Sequence, residues 1–203
     1  MKKWMSLFDL CPIRPSGQKE RAARITAMSY LRDCQDKEQR MEKQLLNTGE
    51  YILLRGKDSY NGLLQRIETN PVNRITGRAI MDLYNSVPKS YRKNAVFLMN
   101  TVTLNELSSS LGMDRNLLSG RDDGTFMLMD QPIVLCNAMP FISKGSVPIL
   151  FGDFGKVSIE DCGRDELQQE PCEGNPGTQQ YTLTGYMDCM LEEQLAVRGI
   201  KIV

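Results

Sequence analysis

Hydrophobic residues recur in the first quarter of this chain at the spacing of an amphipathic helix. Between Lys19 and Leu46 they follow one another at intervals close to three and four, which places their side chains on one helix face. Ser16 is a suitable residue to cap the start, and Asn47-Thr48-Gly49 supplies a stop signal. We therefore predict one long helix over 19–46. Its buried stripe would consist of Ala22, Ile25, Met28, Leu31, Cys34, Met41 and Leu45.

The middle of the chain predicts a shorter helix and then a strand followed by a helix. Thr76 can cap a helix that ends near Val87-Pro88. Residues 95–99 have the composition of a buried strand. Asn100 is a good N-cap for the next helix, which we expect to end near Gly112.

Turn and loop signals mark most of the remaining chain. Asp122-Asp123-Gly124 is a strong turn signal, and strands are possible at Phe126–Met129 and Ile133–Cys136. Residues 163–180 are polar and contain several glycines and prolines, which favours a long exposed loop. Residues 1–17 carry breaker residues and are predicted to be irregular.

The segment VPILFGDFGKVSIED at 147–161 is the sharpest landmark in the sequence. It predicts a short apolar strand, an abrupt turn at Gly152-Asp153-Phe154-Gly155, and a second strand that alternates apolar and polar residues. Glycines on either side let the backbone turn with positive φ, and Phe154 can pack inward. The D-F-G triplet also binds metal in protein kinases, but a kinase needs an H-R-D loop and this chain has no histidine. We therefore interpret the turn as structural.

The composition is that of a globular protein. Of the 203 residues, 41% are hydrophobic and 25% are charged, and a chain of this length forms one large domain or two small ones. The longest apolar runs are strand-sized and fall short of the about 20 residues that a membrane-spanning helix needs. Asp9 interrupts the N-terminal segment too early for a signal peptide, so we predict a non-secretory protein.

Six cysteines and the lack of histidine restrict the possible site chemistry. No two cysteines form a C-x-x-C pair, and a zinc site would need thiolates alone at irregular spacing. We expect reduced thiols that pack as small hydrophobic side chains. Without histidine, Ser-His-Asp and Cys-His catalysis are excluded, and the sequence has no phosphate-binding loop or dinucleotide fingerprint. We predict no catalytic residue, no cofactor and no metal.

The net charge is zero, but the charges are unevenly distributed. Residues 1–24 carry six basic and two acidic side chains, whereas residues 158–193 carry nine acidic side chains and one basic one. Solvated surface and a mobile basic tail would account for this distribution. The alternative is a contact between copies, in which the basic arm of one lies on the acidic segment of its neighbour.

The chain contains, in this order, SYRKNAVFLMN at 90–100, TLNEL at 103–107, PIVLCNAMP at 132–140 and the segment at 147–161. This order resembles the C-terminal half of the HK97-type major capsid proteins of tailed phages and prophages. SYRKNAVFLMN at 90–100 resembles a helix of the axial domain that leads into its strand. TLNEL, a turn and PIVLCNAMP resemble the next unit, and the segment at 147–161 resembles the return to the peripheral domain. The order of these segments over residues 60–203 carries the resemblance. The residues that match the family pattern are Asn100, Pro132, Met139, Pro140, Gly152, Asp153 and Phe154.

The resemblance implies an α+β fold of the HK97-like capsid type, with an axial and a peripheral lobe and one long amphipathic, spine-like helix. It implies an irregular N-terminal arm at 1–18, followed at 19–60 by the spine-like helix and a connecting segment of the peripheral domain. An axial-like domain would occupy 61–150, and the chain would return to the peripheral-like domain at 151–203.

The chain departs from the family pattern before the predicted helix. Family members normally carry an extended N-arm and an E-loop hairpin there, and only about 18 residues precede the helix that we predict. The chain would be a natural short variant, a C-terminal fragment, or a protein whose partner supplies the missing parts. Some members crosslink an E-loop lysine to an asparagine of the peripheral domain. The matching region, Thr182–Asp188, contains no asparagine, so we expect no such crosslink.

The resemblance implies a structural subunit that self-assembles through pentamer and hexamer rings into an icosahedral-type shell. Implied partners are further copies, scaffolding, portal or other capsid proteins, and DNA bound without sequence specificity on the inner face, with no membrane. The shell would belong to the virion and be assembled in the host bacterial cytoplasm. Within the same fold, an encapsulin-like nanocompartment is the alternative. Outside it, a small cytosolic enzyme with an acidic pocket around Asp153, Glu160 and Asp161, or a monomeric binding module, remains open.

Overall fold

A computed structural model of the chain describes residues 5–32, 35–110, 118–120, 124–172, 175 and 177–203. Within these residues no helix is both long enough and apolar enough to span a membrane. The helices of the described part are α1 (Leu7–Leu10), α2 (Lys37–Arg55), α3 (Leu63–Arg66), α4 (Gly77–Ser86), α5 (Lys89–Arg92) and α6 (Thr101–Ser110). Single 3-10 turns lie at Lys19–Arg21 and Phe154–Lys156.

The described strands form two mixed sheets, so the α+β class is confirmed. The strands are β1 (Ile13–Pro15), β2 (Ala23–Arg32), β3 (Thr69–Val72), β4 (Val96–Met99), β5 (Leu118–Gly120), β6 (Phe126–Leu128), β7 (Gln131–Leu135), β8 (Ile149–Gly152), β9 (Val157–Arg164), β10 (Gln168–Pro171), β11 (Thr178–Leu191) and β12 (Val197–Ile202).

The first sheet has the order β1-β9-β11-β10, and β2 also pairs with β11. β1 is parallel to β9, whereas β2, β9 and β10 are all antiparallel to β11. Helix α2 packs on one face of this sheet against β2 and β11. It buries Met41, Leu45 and Leu53 completely, which places the first hydrophobic core between α2 and the sheet.

The second sheet has the order β3-β12-β8-β4-β7-β6-β5. Its parallel pairs are β3 with β12 and β4 with β7. A second hydrophobic core joins Ile80 and Leu83 of α4 to Phe97 and Phe151 of the central strands. The rings of Phe97 and Phe151 stack with their centroids 4.3 Å apart.

The prediction of one helix over 19–46 is wrong. Residues 23–32 form strand β2, and the helix begins at Lys37 and continues to Arg55. Ala23, Ile25 and Ala27 are buried and alternate with exposed residues, so the period of two prevails because β11 offers a hydrogen-bonding partner. The helix is therefore preceded by a strand and not by a short arm.

The predicted helix stop at 47–49 is also wrong, because these residues lie inside α2. A Cβ added to Gly49 would lie 3.1 Å from Cδ1 of Ile25 and 3.6 Å from Sδ of Met187, so glycine lets the helix approach the sheet closely. The helix ends at Gly56, whose φ is 79°. This is the left-handed conformation that glycine adopts without strain after a helix.

From residue 5 onward the chain forms regular elements where we predicted an irregular arm. Ser6 and Asp9 form a reciprocal capping box at the start of α1, and Leu7 and Cys11 are buried in the first core. β1 then joins the first sheet beside β9. The signal was present in the sequence as a serine followed three residues later by an acid.

Residues 163–166 and 168–171 are exposed as predicted, but they do not form an unstructured loop. β9 continues to Arg164, and β10 folds back on the first residues of β11 as an antiparallel hairpin. All four residues of β10 are exposed. The strand is stabilised by pairing with β11 and not by a hydrophobic face of its own, so its polar sequence gave no strand pattern.

Most shorter elements lie where the sequence predicts them. The hydroxyl of Thr76 caps α4, β4 follows at Val96–Met99, and Asn100 caps α6, which is described as far as Ser110. β6 and β7 occupy the two predicted strand positions, and β8 and β9 flank the 152–155 turn. The Asp122-Asp123 turn signal and the expected helix end at Gly112 lie outside the described residues.

Candidate functional site

Asn100 connects the N-terminus of α6 to the loop that follows β7. Its Oδ1 accepts a hydrogen bond from the backbone N of Thr103 at 2.7 Å. Its Nδ2 donates to the carbonyl oxygens of Met139 at 3.1 Å and Pro140 at 2.8 Å. Three of the seven predicted signature residues, Asn100, Met139 and Pro140, are thus brought together by one buried amide.

Arg55, in the last turn of α2, holds the same loop from the other side. Its Nε donates to the carbonyl of Ala138 at 2.7 Å, and its Nη2 donates to that of Met139 at 2.9 Å. Our sequence reasoning missed Arg55 because it ended the helix at 47–49. Placing the helix end at Gly56 would have shown a cation at a helix C-terminus, but not the loop that it binds.

Pro132 lies at the second position of β7, away from this group of hydrogen bonds. It pairs with Met127 of β6, and the pairing of β7 with β4 begins one residue later at Ile133. Proline has no backbone N–H to contribute to a ladder, and it occurs near the start of a strand for that reason.

The turn Gly152-Asp153-Phe154-Gly155 joins β8 of the second sheet to β9 of the first. A Cβ on Gly152 would lie 2.1 Å from the carbonyl oxygen of Ala196, so only glycine fits there, and its φ is 156°. Oδ1 of Asp153 accepts a hydrogen bond from the backbone N of Gly155 at 3.0 Å. Phe154 is buried in the first core. Each of the three signature residues of the turn therefore has a structural contact.

An ion pair fastens this junction to α5. Nζ of Lys156 lies 2.7 Å from Oε1 of Glu193, and the hydroxyl of Tyr91 donates to Oε2 of the same carboxylate. Hydrogen bonds from Lys156 and then from Tyr91 lower the pKa of Glu193. The cluster joins α5 beside the second sheet to the 3-10 turn and to the segment between β11 and β12.

A second polar cluster lies on the first sheet. The hydroxyl of Tyr60 donates to Oδ1 of Asp188 at 2.9 Å, and Nη2 of Arg66 lies 3.0 Å from the same oxygen. Burial, followed by the negative charge of Asp188, raises the pKa of Tyr60. This cluster fixes the loop between α2 and α3 on β11.

Basic residues of the N-terminal segment lie on the acidic segment of their own chain. Nη1 of Arg14 is 2.8 Å from Oε1 of Glu192, and Nζ of Lys19 is 4.0 Å from Oδ1 of Asp165. A contact between copies was one of two alternatives for these charges. Within one chain, β1 lies beside β9, and Arg14 and Lys19 already have acidic partners.

The acids of the proposed enzyme pocket do not converge. Glu160 faces a depression of about 790 Å³ that also contains Tyr60 and Asp188. Asp161 lines a separate depression beside Ile13. Adjacent strand residues point to opposite faces, which accounts for this separation. Asp153 is buried at the β8–β9 turn, where its carboxylate binds the Gly155 amide.

Four cysteines pack as the sequence predicts. Cys11, Cys136, Cys162 and Cys189 are free and buried, whereas Cys172 is half-buried. Burial is the main cause that raises the pKa of Cys136 and of Cys189 to about 12. Among the described residues no three potential ligands from His, Cys, Asp and Glu come together as a metal site. Cys34 lies outside the described residues.

Residues 39–192 of this chain match the phage capsid family. The match includes most of α2, the signature residues and all of β11, and it spans well over half of the chain. The chain belongs to the phage capsid family. As a member of that family it is a structural capsid subunit that assembles with further copies of itself, and its place is the virion capsid. No curated protein matches this chain.

Solved capsid-type shells share the fold at low sequence identity. The capsid of an empty GTA particle is 16% identical, with a TM-score of 0.66 over 98% of this chain and 90% of that one. The holo-SrpI encapsulin complex of Synechococcus elongatus is 14% identical, with a TM-score of 0.64 over 97% and 86%. The satellite phage P4 procapsid is 13% identical, with a TM-score of 0.55 over 92% and 77%. The expected HK97-like fold is confirmed.

Proposed function

We propose that this capsid subunit closes into an icosahedral-type shell that encloses DNA in a phage or prophage particle. The observation that carries the proposal is the match of residues 39–192 to the phage capsid family. A closed shell needs contacts between unlike surfaces of neighbouring copies, because such contacts generate rings. In our proposal these rings are pentamers and hexamers.

The partners follow from the same proposal. Scaffolding and portal proteins would act during assembly in the host bacterial cytoplasm, and DNA would lie on the inner face without sequence-specific contacts. A net charge of zero is consistent with loose, non-specific packing of DNA, since tight non-specific binding needs a broad basic face. The proposal includes no membrane contact.

We propose that the subunit has no catalytic activity. The separation of Glu160 from Asp161 and the engagement of Asp153 with Gly155 support this. The signature residues then serve to position loops: Asn100, with Met139 and Pro140, fixes the loop after β7. Gly152, Asp153 and Phe154 shape the crossing between the sheets, and Pro132 starts β7.

The division into an arm at 1–18, a peripheral segment at 19–60, an axial-like lobe at 61–150 and a peripheral return at 151–203 also remains our proposal. β12 is an exception to the last range, because it pairs with β8 and β3 in the second sheet and so lies beside the axial-like elements. Limited proteolysis of the unassembled subunit tests this division. Cuts confined to the neighbourhood of residues 18, 60 and 150 would support it, and cuts inside the lobes would contradict it.

An encapsulin-like shell is the second candidate, favoured by one observation. The SrpI encapsulin matches 97% of this chain, and the match covers 86% of that protein. Such a shell would enclose protein cargo in place of DNA.

Expression followed by size-exclusion chromatography and cryo-EM tests the proposal. We expect closed shells of uniform size, and nuclease-protected DNA when the chain is expressed with the other components of the particle. A protein cargo recovered stoichiometrically without nucleic acid would favour the second candidate. A stable monomer at all concentrations would refute both.

A further inference from the structure

An open, largely apolar groove lies beside α6 at the end of the second sheet. The α6 groove has a volume of about 590 Å³, and its apolar lining consists of Ile75, Val102, Leu107, Ile142 and Ile202. Val102 is 45% exposed although it faces this groove. The described residues therefore leave this partly apolar recess unfilled.

A projecting aromatic residue lies next to this groove. Phe141 is 58% exposed, whereas the following residue, Ile142, turns inward and lines the groove. Phe141 thus points away from the groove of its own chain. An exposed aromatic residue beside an open apolar recess is the pair of surfaces that a contact between two copies requires.

The loop that carries Phe141 is held in one conformation. We call residues 141–146 the Phe141 loop. Nδ2 of Asn100 binds the carbonyl of Pro140 at its base, and the backbone N of Gly145 donates to the carbonyl of Ile202 at 2.8 Å. The hydroxyl of Ser146 donates to the carbonyl of Ser143 at 2.6 Å. A loop fixed before binding loses little conformational entropy when it docks.

The one charge of the loop is opposite in sign to one of the two charges of the groove. Lys144 is exposed and is the single charged residue between Asn137 and Leu150. Glu106 is exposed and lines the groove. In the described part of the chain neither residue forms an ion pair. Arg74 also lines the groove and has the same sign as Lys144, so Glu106 is the groove charge with which Lys144 can pair.

We propose that the Phe141 loop of one copy inserts into the α6 groove of the next, with Phe141 filling the apolar recess and Lys144 facing Glu106. The inference rests on the proposed function, because the occupant is a second copy of this chain. Loop and groove are different surfaces, so the contact is heterologous. Since they lie side by side, repetition of the contact carries successive copies around a nearby rotation axis. The signature residue Asn100 thereby acquires a role as the residue that positions the loop.

Truncating the aromatic side chain tests the apolar half of the contact. We expect Phe141→Ala to raise the subunit concentration needed for shell assembly by about tenfold or more, because buried aromatic residues dominate such contacts. The readout is light scattering with negative-stain microscopy. Leu195→Ala is the matched control, because Leu195 is 49% exposed and belongs to neither the loop nor the groove. Circular dichroism of both variants checks that they are folded.

A mixing experiment tests the charged half and shows that the contact joins different copies. Lys144→Glu alone and Glu106→Lys alone each place like charges together at every contact, and we expect both to assemble poorly. An equimolar mixture restores opposite charges wherever the two variants alternate, so assembly should recover well above that of either variant alone, although each five-membered ring keeps at least one like-charged contact. A contact within one chain would not recover on mixing. Lys93→Ala, at an exposed residue outside both the loop and the groove, should assemble like the unchanged protein.

Three results would overturn the inference. The first is unchanged assembly of Phe141→Ala, and the second is normal assembly of both single charge variants. The third is poor assembly of the mixture. Shells formed by the unchanged protein in these experiments leave the proposed function standing. Failure of the unchanged protein to assemble under any condition would overturn the proposed function as well.

Discussion

Replacement of Asn100 by alanine tests how the α6 cap and the loop after β7 are held together. The substitution removes the acceptor for the Thr103 amide and the donor to the carbonyls of Met139 and Pro140. Loss of an N-cap costs about 1 kcal/mol. A buried acceptor left without a partner costs about 1–3 kcal/mol. Met139 keeps its bond from Arg55, so only the Pro140 carbonyl is orphaned.

The two contributions predict that Asn100→Ala lowers the free energy of unfolding by about 2–4 kcal/mol. For a chain of this size that corresponds to a fall in Tm of roughly 5–15 °C. Urea unfolding of the unassembled subunit, followed by circular dichroism, measures the change. Asn100→Ser separates the cap contribution from the loop contribution, because serine can cap the helix but cannot reach both carbonyls. Its free energy of unfolding should therefore fall by less than that of Asn100→Ala.

Asn105→Ala is the matched control, since Asn105 is exposed on the same helix. Substitutions at such surface positions usually change stability by less than about 0.5 kcal/mol. A loss below about 0.5 kcal/mol for Asn100→Ala would refute the reasoning. So would equal losses for Asn100→Ala and Asn105→Ala, because the buried amide would then contribute no more than a surface residue.

Gly152→Ala should destabilise the subunit by roughly 3 kcal/mol or more in urea unfolding, because the added Cβ would clash with the Ala196 carbonyl. Gly17→Ala is the control and should be nearly neutral, because open space surrounds Gly17. Equal losses for the two variants would contradict this prediction. Burial raises the pKa of Cys136 and Cys189 to about 12, so these thiols hold their protons more tightly in the folded than in the unfolded chain. The contribution of the Cys136 and Cys189 thiols to the free energy of unfolding is therefore complete below about pH 9 and should fall as the pH rises toward 12. Peptide-resolved alkylation at pH 8 should modify Cys172 well before Cys136 or Cys189. Replacing β10 by a short Gly-Ser linker should leave the Tm nearly unchanged but weaken shell assembly in light scattering, because the four residues of β10 are exposed and available to neighbours. A large fall in Tm with unchanged assembly would show that β10 stabilises the subunit and does not contact neighbours.

Local signals in the sequence predicted the elements that depend on neighbouring residues. The caps at Thr76 and Asn100 lie within three residues of the amides that they bind, so spacing alone identifies them. The turn at 152–155 was predicted from its two glycines. The sequence did not predict that Gly152 faces the carbonyl of Ala196, because that contact joins residues distant in the chain.

The errors concern elements whose stability comes from distant residues. Ile25 fits both a helical and an alternating pattern, and only its neighbour β11 decides between them. Gly49 resembled a helix stop because its packing against Ile25 and Met187 is not visible locally. The groove and the exposed Phe141 were missed for the same reason, since Ile75, Val102 and Ile202 come together only in the folded chain.

The pairing of early strands with late ones has a consequence for synthesis. β1 and β2 pair with β9 and β11, and β3 pairs with β12. During translation the first strands of both sheets therefore wait for residues 157–202 to leave the ribosome. Contacts this distant in sequence also slow folding. A nascent subunit thus cannot complete either sheet until nearly all of the described chain has emerged, which delays its competence to join other copies until synthesis is almost finished.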